Sequence, residues 1–227
     1  MTQIGKYWNN PLGTVSLRIE GVLAKTPADD PRRKALEIVE QEVERMSGLV
    51  ANLLQFSRAG RDQVSTVDVR EELNRTIELT GYHLKKHGIH VEPDFSPDVP
   101  IIYADRQQLR QVFLNLFTNA TDAMEAGGRL TLRVRHGILP GNREAVVIEV
   151  IDTGVGIAPE HLSRVTDPFF TTKEEGKGTG LGLAICRRIV QQHQGAFQVE
   201  SQLGEGTVVR VILPIRPDAN VAILHTE

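Results

Sequence analysis

The sequence predicts an α+β protein in which an N-terminal antiparallel helical hairpin is followed by an α/β sandwich. Over residues 10–59, apolar side chains recur every three or four positions, which is typical of helices with one buried face. This spacing is lost in residues 57–63, whose glycine and charges indicate a linker. Further along, helical patterns are interspersed with alternating apolar and polar residues, which favours a mostly antiparallel sheet covered on one face by helices.

The N-terminal hairpin consists of two predicted helices. Their apolar positions are Leu12, Val15, Ile19 and Val22 in the first helix and Leu36, Val39, Val43, Met46, Val50 and Leu53 in the second. Pro27 is expected to end the first helix, and Asp29 or Asp30 to cap the second. Because a hairpin of this size buries little surface, we expect two copies to form a four-helix bundle in a homodimer, rather than one hairpin to pack on its own chain.

The second region contains the predicted sandwich. Its expected helices are residues 68–87, a long helix that Asp105 caps and that runs to about Met124, and about Gly180 to Gln194. Its expected strands are residues 89–95, 100–104, 129–136, 144–151, 196–201 and 207–214. We therefore divide the chain into the hairpin (1–60), the sandwich (61–215) and an irregular tail (216–227).

Composition and charge limit the classes of function. A net charge of −3 and a pI near 6.2 argue against a nucleic-acid-binding protein. The single cysteine, Cys186, cannot form an internal disulfide, and its apolar surroundings predict a buried side chain. The sequence has no run of about 18 apolar residues and no signal-peptide pattern. We therefore expect a cytoplasmic protein with no membrane span, and any sensor of an external signal to lie outside these residues.

Two asparagines on the long helix are candidate metal ligands. Asn115 and Asn119 are four residues apart and therefore lie on one helical face. The oxygen of a carboxamide is a hard ligand that suits Mg²⁺, which usually also takes phosphate oxygens and water. Taken alone, however, the spacing favours a pair of exposed polar residues that bind nothing.

Three glycine-containing segments add to this pair. DTGVGI (152–157) follows a strand, and the carboxylate of Asp152 can accept a hydrogen bond from an exocyclic amino group such as that of adenine. GKGTGLGL (176–183) opens a helix, where glycine backbone amides can approach a phosphate closely, although it is neither a Walker A loop nor a dinucleotide fingerprint. GEGTVV (204–209) is typical of a hairpin turn. Alone, each segment is also compatible with a turn that binds no ligand.

In combination, these segments resemble the ATP-binding region of two-component sensor histidine kinases. The N, G1, F, G2 and G3 boxes of that family are similar, in this order, to the helix with Asn119, DTGVGI, PFFTTK (168–173), GKGTGLGL and GEGT. The resemblance covers about residues 60–215, and FFTTKEEGKGTGLGL is most similar to the nitrogen-regulator-like branch. It implies a GHKL-type ATPase domain with the Bergerat fold, and the hairpin resembles the family's dimerisation and phosphoacceptor domain.

The resemblance also implies a function for each matching residue. Asn119 would be the Mg²⁺ ligand, with Asn115 in the same site. The residues around the adenine would be Asp152, which accepts its amino hydrogen bond, Gly154, Gly156 and Thr207. The ATP lid and its phosphate cradle would include Phe169, Phe170, Thr172, Lys173, Lys177, Gly178, Thr179, Gly180, Leu181 and Gly182. The implied reaction is phosphoryl transfer from ATP to a histidine nitrogen and then to an aspartate of a response regulator.

The sequence departs from the family at the phosphoacceptor box, which usually reads His-Glu-x-x-Asn-Pro-Leu. Here the stretch is KYWNNPL, so Lys6 replaces the histidine and Tyr7 the glutamate, whereas Asn10 is retained. A protonated lysine has no lone pair with which to attack a phosphoryl group, and a phenol does not serve as the neighbouring carboxylate base. Self-phosphorylation at the usual site is therefore not expected, and none of the seven histidines is predicted to be the acceptor.

Several explanations of this departure stay open. The first ten residues can be an artificial or wrongly assigned segment, or the chain can be a kinase that phosphorylates a histidine of another protein. It can also be an acceptor-less pseudokinase that acts as an ATP-binding dimerisation or signalling module. Because Asn10 is retained, dephosphorylation of a response regulator is also open. A gyrase-like or chaperone ATPase, or an anti-sigma serine kinase, is disfavoured by the helical hairpin and by the length of the lid.

Overall fold

The computed structural model describes residues 14–27, 29–40, 42–43, 46, 64–174 and 178–216. The chain forms two compact units, Met1–Gly60 with Thr172–Thr179, and Arg61–Thr171 with Gly180–Glu227. The predicted linker (57–63) and the tail beyond Arg216 lie outside the described residues.

The first unit contains two helices joined by a turn, as the apolar spacing predicts. Helix α1 covers residues 14–23, and α2 covers 33–40, with 42, 43 and 46 also helical. Of the two candidate caps, Asp30 accepts a hydrogen bond from the backbone N–H of Arg32 at 2.8 Å. The Arg32 guanidinium also hydrogen-bonds this carboxylate and lowers the pKa of Asp30 to about 2. Asp30 therefore stabilises the turn that leads into α2.

The predicted apolar seam of this hairpin is only partly covered within one chain. Leu23 and Val43 are buried. The apolar side chains that stay exposed on α1 and α2 are Val15, Leu17, Val22, Ile38, Val39 and Met46. Four of these belong to the predicted seam, so a facing surface would bury further apolar area and stabilise the hairpin. The seam positions Leu12, Val50 and Leu53 lie outside the described residues.

The second unit contains two sheets, a two-stranded antiparallel sheet and a five-stranded mixed sheet. Its strands are β1 (Val64–Val67), β2 (Ile89–Phe95), β3 (Ile102–Asp105), β4 (Gly128–Leu139), β5 (Arg143–Asp152), β6 (Ala196–Gln202) and β7 (Gly206–Pro214). Five of them form the main sheet in the order β2-β4-β5-β7-β6, in which only β2 and β4 are parallel neighbours. The main sheet is mostly antiparallel, as predicted, whereas β1 and β3 form a second, two-stranded sheet that the sequence did not predict.

Helices pack on one face of the main sheet. They are α3 (Val69–Lys86), α4 (Arg106–Ala123), the single turn α5 (Pro159–Leu162) and α6 (Gly182–Gln192). Helix α4 is central, because it packs against both α3 and α6. Its predicted cap is confirmed: the Asp105 carboxylate accepts hydrogen bonds from the N–H groups of Gln107 at 2.9 Å and Gln108 at 3.0 Å. None of the helices in the described part of the chain has the length and apolar character required to cross a membrane.

A buried carboxylate joins α3 to α4. The side chain of Glu72 has no exposed surface and accepts hydrogen bonds from Arg75 at 3.1 Å, Arg106 at 2.6 Å and Arg110 at 2.9 Å. Two of these arginines belong to α4, so the ion cluster fixes the orientation of that helix relative to α3. A buried ion is strongly destabilising when it loses its partners, which makes this contact a firm restraint.

Some elements differ from the prediction. The strand expected at 100–104 is β3, and it pairs with β1, a strand that the sequence pattern does not reveal. The short helix α5 was likewise not predicted. Helix α6 begins at Gly182 and not near Gly180, because Gly180 has a φ of +64°, which lies outside the helical region.

Cys186 lies on α6 and is fully buried, as predicted. Its Sγ atom lies 3.7 Å from the backbone oxygen of Val112, and burial raises the pKa of the thiol to about 12. Because the thiolate is the reactive form, we expect iodoacetamide at mildly alkaline pH to leave the folded protein unlabelled and to label one site after denaturation. Mass spectrometry measures both. Rapid labelling of the folded protein would contradict the packing of α6 on α4.

Candidate functional site

Asp152 ends β5 as a buried carboxylate. Its side chain is 7% exposed, and its Oδ1 atom accepts hydrogen bonds from the N–H groups of Gly154 at 2.9 Å and Thr207 at 3.2 Å. Burial raises the pKa of Asp152, and these two hydrogen bonds act in the opposite direction. Because both bonds end on Oδ1, the Oδ2 atom keeps its capacity to accept a hydrogen bond from a ligand.

Two glycines allow the turn after β5 and the β6–β7 hairpin to approach each other closely. Gly206 has a φ of +115°, and a Cβ atom there would lie 2.0 Å from the carbonyl oxygen of Asp152. Gly156 has a φ of +70°, and its Cβ would lie 2.1 Å from the carbonyl oxygen of Gln202. Neither position has room for a side chain, so the turn after β5 and the β6–β7 hairpin pack backbone against backbone.

The C-terminal end of α4 also contacts the turn after β5. A Cβ atom on Gly154 would lie 2.5 Å from the carbonyl oxygen of Ala123, and the N–H of Val155 donates to that oxygen at 3.0 Å. The N–H of Gly204 in the β6–β7 hairpin donates to the carbonyl oxygen of Val155 at 2.8 Å. The turn after β5 is therefore held between α4 and the hairpin.

Ser201 connects these turns, although the sequence analysis did not identify it. Its Oγ accepts a hydrogen bond from the N–H of Ile157 at 2.8 Å, donates to the carbonyl oxygen of Gly206 at 2.7 Å and lies 2.9 Å from Oγ1 of Thr207. Ser201 stands opposite Thr207 in the β6–β7 register. The sequence around a single serine in a strand does not indicate that it will connect two turns. Ser201 does so only because β6 pairs with β7.

Asn115 and Asn119 lie where α4 meets the start of α6. Nδ2 of Asn115 donates to the carbonyl oxygen of Gly182 at 3.3 Å, and its Oδ1 accepts from Nε2 of Gln111 at 2.9 Å. Asn119 makes no hydrogen bond within the described residues, and its Nδ2 lies 3.6 Å from where a Cβ on Gly182 would be. Asn115 thus joins α4 to α6 through its Nδ2 atom, while its Oδ1 atom is engaged by Gln111 of its own helix. The amide of Asn119, in contrast, is available to a ligand.

The start of α6 is suited to an anion. The N-cap residue is the buried Leu181, and no side chain forms a capping hydrogen bond there. The first helical residue is Gly182, which places no side chain in front of Asn119. The N–H groups of a first helical turn carry a partial positive charge, which favours a phosphate.

The two ends of the predicted lid are joined by a backbone hydrogen bond. The N–H of Phe169 donates to the carbonyl oxygen of Gly180 at 2.9 Å, and a Cβ on Gly180 would lie 2.4 Å from the Phe169 carbonyl carbon. The guanidinium carbon of Arg164 lies 4.5 Å from the centre of the Phe170 ring, and the His161 ring lies 5.6 Å from it. A cation–π contact of this kind stabilises the first turn of the lid.

The other predicted site residues are not part of this unit. Thr172, Lys173, Gly178 and Thr179 belong to the first compact unit. Lys177, and the acceptor-box residues Lys6, Tyr7 and Asn10, lie outside the described residues.

The arrangement around Asp152 and the start of α6 fits a purine nucleotide. Oδ2 of Asp152 can accept a hydrogen bond from an amino group, and the backbone N–H groups at the start of α6 can donate hydrogen bonds to phosphate oxygens. Among the described residues there is no group of three or more histidines, cysteines or carboxylates that could hold a metal ion. The amide oxygen of Asn119 is a neutral oxygen donor of the kind that Mg²⁺ accepts beside phosphate oxygens and water.

Comparison with known protein families finds two matches in the chain. Residues 104–217 match the family described as "Histidine kinase-, DNA gyrase B-, and HSP90-like ATPase". Residues 9–62 match the "His Kinase A (phospho-acceptor) domain". The first match contains Asn119, Asp152 and Thr207, and the second covers the helical hairpin.

Individual proteins are similar over nearly the whole chain. Sensor kinase CckA of Brucella abortus (strain 2308) is 35% identical over 223 residues, which are 93% of this chain and 23% of that protein. Signal transduction histidine-protein kinase AtoS of Escherichia coli (strain K12) is 34% identical over 227 residues, 98% of this chain and 36% of that protein. The crystal structure of full-length ShkA in complex with AMPPNP is 28% identical with a TM-score of 0.69, over 90% of this chain and 45% of that chain. The chain thus spans less than half the length of these proteins.

Proposed function

Because the chain belongs to the two-component sensor histidine kinases, we propose that it is the ATP-dependent kinase core of a two-component system. It binds Mg-ATP and transfers the γ-phosphoryl group to a histidine, from which a response regulator receives it. The observation that carries this proposal is the buried carboxylate of Asp152, which has one oxygen held by two backbone N–H groups and the other free for a ligand. The ATP-binding domain is residues 61–215, after the hairpin (1–60) and before the tail (216–227).

The nucleotide and its metal are held by different parts of the site. Oδ2 of Asp152 accepts the hydrogen bond of the adenine amino group, next to Thr207 and to the two turn glycines Gly154 and Gly156. The phosphates lie at the start of α6, near Gly180 and Gly182, and Asn119 binds Mg²⁺ through its amide oxygen. The support for this division is that the backbone packs closely around Asp152, while the amide of Asn119 forms no hydrogen bond with any residue that the structure describes.

The protein accelerates phosphoryl transfer by positioning and by neutralising charge, since this reaction requires little covalent chemistry from the enzyme. Residues of the lid cover the phosphates, and its two lysines, Lys173 and Lys177, contribute positive charge. The hydrogen bond between Phe169 and Gly180 fixes where the lid leaves and rejoins the domain.

The hairpin supplies the dimer contact and the surface for the response regulator. The exposed apolar residues of α1 and α2 favour a homodimer, because a four-helix bundle would remove them from water. We propose that the receiver domain of a response regulator docks on this bundle, as expected for a phosphorelay through a histidine.

The residue at the phosphoacceptor position determines which histidine the chain can phosphorylate. With Lys6 and Tyr7 where the family has histidine and glutamate, the chain phosphorylates a histidine other than the usual one, as on a partner hairpin. The second candidate is an acceptor-less pseudokinase that binds ATP as a dimerisation or signalling module, and Lys6 is the specific observation that favours it.

A transfer experiment distinguishes these two functions. The chain is mixed with γ-labelled ATP, Mg²⁺ and a separately purified phosphoacceptor hairpin that contains the family's His-Glu-x-x-Asn-Pro-Leu box. A kinase core transfers acid-labile label to the hairpin, and a hairpin with alanine in place of the histidine stays unlabelled. A pseudokinase binds ATP and labels neither.

Replacing Asp152 by asparagine is expected to weaken ATP binding about ten- to a hundredfold, which is the loss of one hydrogen bond to a charged acceptor, about 1.5–3 kcal/mol. Because burial raises the pKa of Asp152, the affinity of the wild type also falls on acidification, at a higher pH than for an ordinary aspartate. Isothermal titration with ATP measures both. Glu149→Gln on the same strand is the control, since Glu149 pairs with Arg133 and Arg210. Equal affinities of Asp152→Asn and wild type would contradict the assignment.

A further inference from the structure

Two histidines form a pair at the C-terminal end of α3, outside the nucleotide site: His83 lies in the last turn and His87 is the capping residue that follows it. His83 and His87 are four residues apart on one helical face, and their ring centroids are 4.3 Å apart. His83 is exposed and His87 is half-buried. The exposed neighbours Lys85 and Lys86 carry positive charge on long side chains that can turn away from the pair.

The hydrogen bond of His87 leaves its other ring nitrogen able to bind a metal ion. Nδ1 of His87 lies 2.9 Å from the carbonyl oxygen of His83. A carbonyl oxygen only accepts, so Nδ1 carries the proton and Nε2 carries the lone pair. Metal-binding histidines commonly donate their second N–H to a backbone carbonyl in this way, which fixes both the tautomer and the ring orientation.

His193 makes the same local hydrogen bond but has no free nitrogen. Its Nδ1 lies 2.8 Å from the carbonyl oxygen of Ile189, and its Nε2 accepts a hydrogen bond from the N–H of Asp105 at 2.9 Å. Both nitrogens of this ring are therefore used in joining α6 to the start of α4. His87 differs because no contact of this kind engages its Nε2 within the described residues.

We infer that His83 and His87 form a surface site for a divalent transition-metal ion, bound by one nitrogen from each ring and completed by water. Imidazole nitrogen suits Zn²⁺, Ni²⁺ and Cu²⁺, whereas Mg²⁺ prefers oxygen ligands. Two metal–nitrogen bonds of about 2.0–2.1 Å at a tetrahedral angle place the nitrogens about 3.3 Å apart. Rings with centroids 4.3 Å apart reach that spacing by a small rotation of the exposed His83.

The consequence for the protein is a cross-link between the last turn of α3 and the residue that caps it. This end of the helix leads through Gly88 into β2, whose first residue, Ile89, is buried. A ligand that binds only the folded helix stabilises the folded state in proportion to its concentration relative to the dissociation constant. The metal ion is thus expected to stabilise the edge of the sandwich without occupying the site of Mg-ATP.

The test uses the tag-free full chain without nucleotide, titrated calorimetrically with NiCl₂, ZnCl₂ or CuCl₂ in a buffer that does not chelate metals. We expect one site per chain, with affinity for Cu²⁺ above that for Ni²⁺. His83→Gln and His87→Gln should each weaken binding by roughly tenfold or more, and the double variant should remove it. His90→Gln, which changes an exposed histidine just beyond the pair, should bind like the wild type. Excess Mg²⁺ should not displace the ion.

The outcomes that overturn the inference are distinct from failure of the kinase proposal. Retention of full affinity by the double variant would place the metal elsewhere, and loss of binding in His90→Gln alone would do the same. The absence of any binding to the wild type at millimolar metal would show that the pair is a ring contact only. None of these results depends on ATP, and the circular dichroism of each variant checks that the protein keeps its helical content.

Discussion

Replacing Asn119 by alanine is expected to abolish Mg-ATP binding while the domain stays folded. The amide of Asn119 makes no hydrogen bond to the protein within the described residues, so its removal leaves no protein group without a partner. The loss is expected to be roughly a hundredfold or more in affinity, about 3 kcal/mol, because a metal ligand between protein and phosphates is removed. Isothermal titration with Mg-ATP measures it, and thermal unfolding measures stability.

Two variants of the same helix serve as controls for Asn119. Thr118→Ala changes an exposed neighbour on α4 and should bind Mg-ATP like the wild type. Asn115→Ala removes the hydrogen bond to the carbonyl oxygen of Gly182 and should lower thermal stability as well as affinity. If Asn119→Ala binds Mg-ATP with unchanged affinity, the metal site is not at Asn119.

Replacing Gly206 by alanine is expected to disrupt the adenine pocket and to destabilise the domain by on the order of 3 kcal/mol. An added Cβ would lie 2.0 Å from the carbonyl oxygen of Asp152, at a φ of +115° that side chains rarely adopt. The backbone must shift to relieve this overlap, and the N–H of Thr207 then moves away from Oδ1 of Asp152. We expect the melting temperature to fall by about 5–10 °C and ATP binding to be lost.

Gly204 in the same hairpin is a matched control for Gly206. Its φ of +84° is also positive, but an added Cβ would meet no atom within 4 Å. Gly204→Ala therefore carries only the conformational penalty of about 1–2 kcal/mol and should still bind ATP. Equal effects of the two substitutions on ATP binding would contradict the packing described around Asp152.

Local signals account for the elements that the sequence predicted well. β2 covers residues 89–95 as expected, and α4 begins at the Asp105 cap and ends before Met124. Both have clear signals along the chain, namely alternation in β2 and an aspartate cap before a long apolar pattern in α4. β1 has only four residues, most of them exposed, and its partner β3 lies more than thirty residues away. Pairing at that distance leaves no trace in local periodicity.

In the candidate site, too, residues with a signal along the chain were predicted and residues that depend on distant contacts were not. Asp152, Asn119 and the glycines were predicted because they recur in a fixed order that resembles a known family. Ser201 was missed because its three contacts come from residues on the turn after β5 and on β7, which only folding brings together. The helical spacing alone does not distinguish Asn115 from Asn119. In the structure, the amide of Asn115 donates to the start of α6, whereas that of Asn119 makes no hydrogen bond within the described residues.

The most direct test of the proposed kinase function is incorporation of label from γ-labelled ATP by this chain and by the double variant Lys6→His, Tyr7→Glu. We predict that the double variant takes up acid-labile label and that the unmodified chain does not. The variant restores the acceptor histidine and its neighbouring base in a chain whose ATP-binding domain is functional. Label on the unmodified chain would show that the acceptor lies elsewhere. The absence of label on both proteins, with ATP bound to each, would contradict the kinase and favour the ATP-binding module.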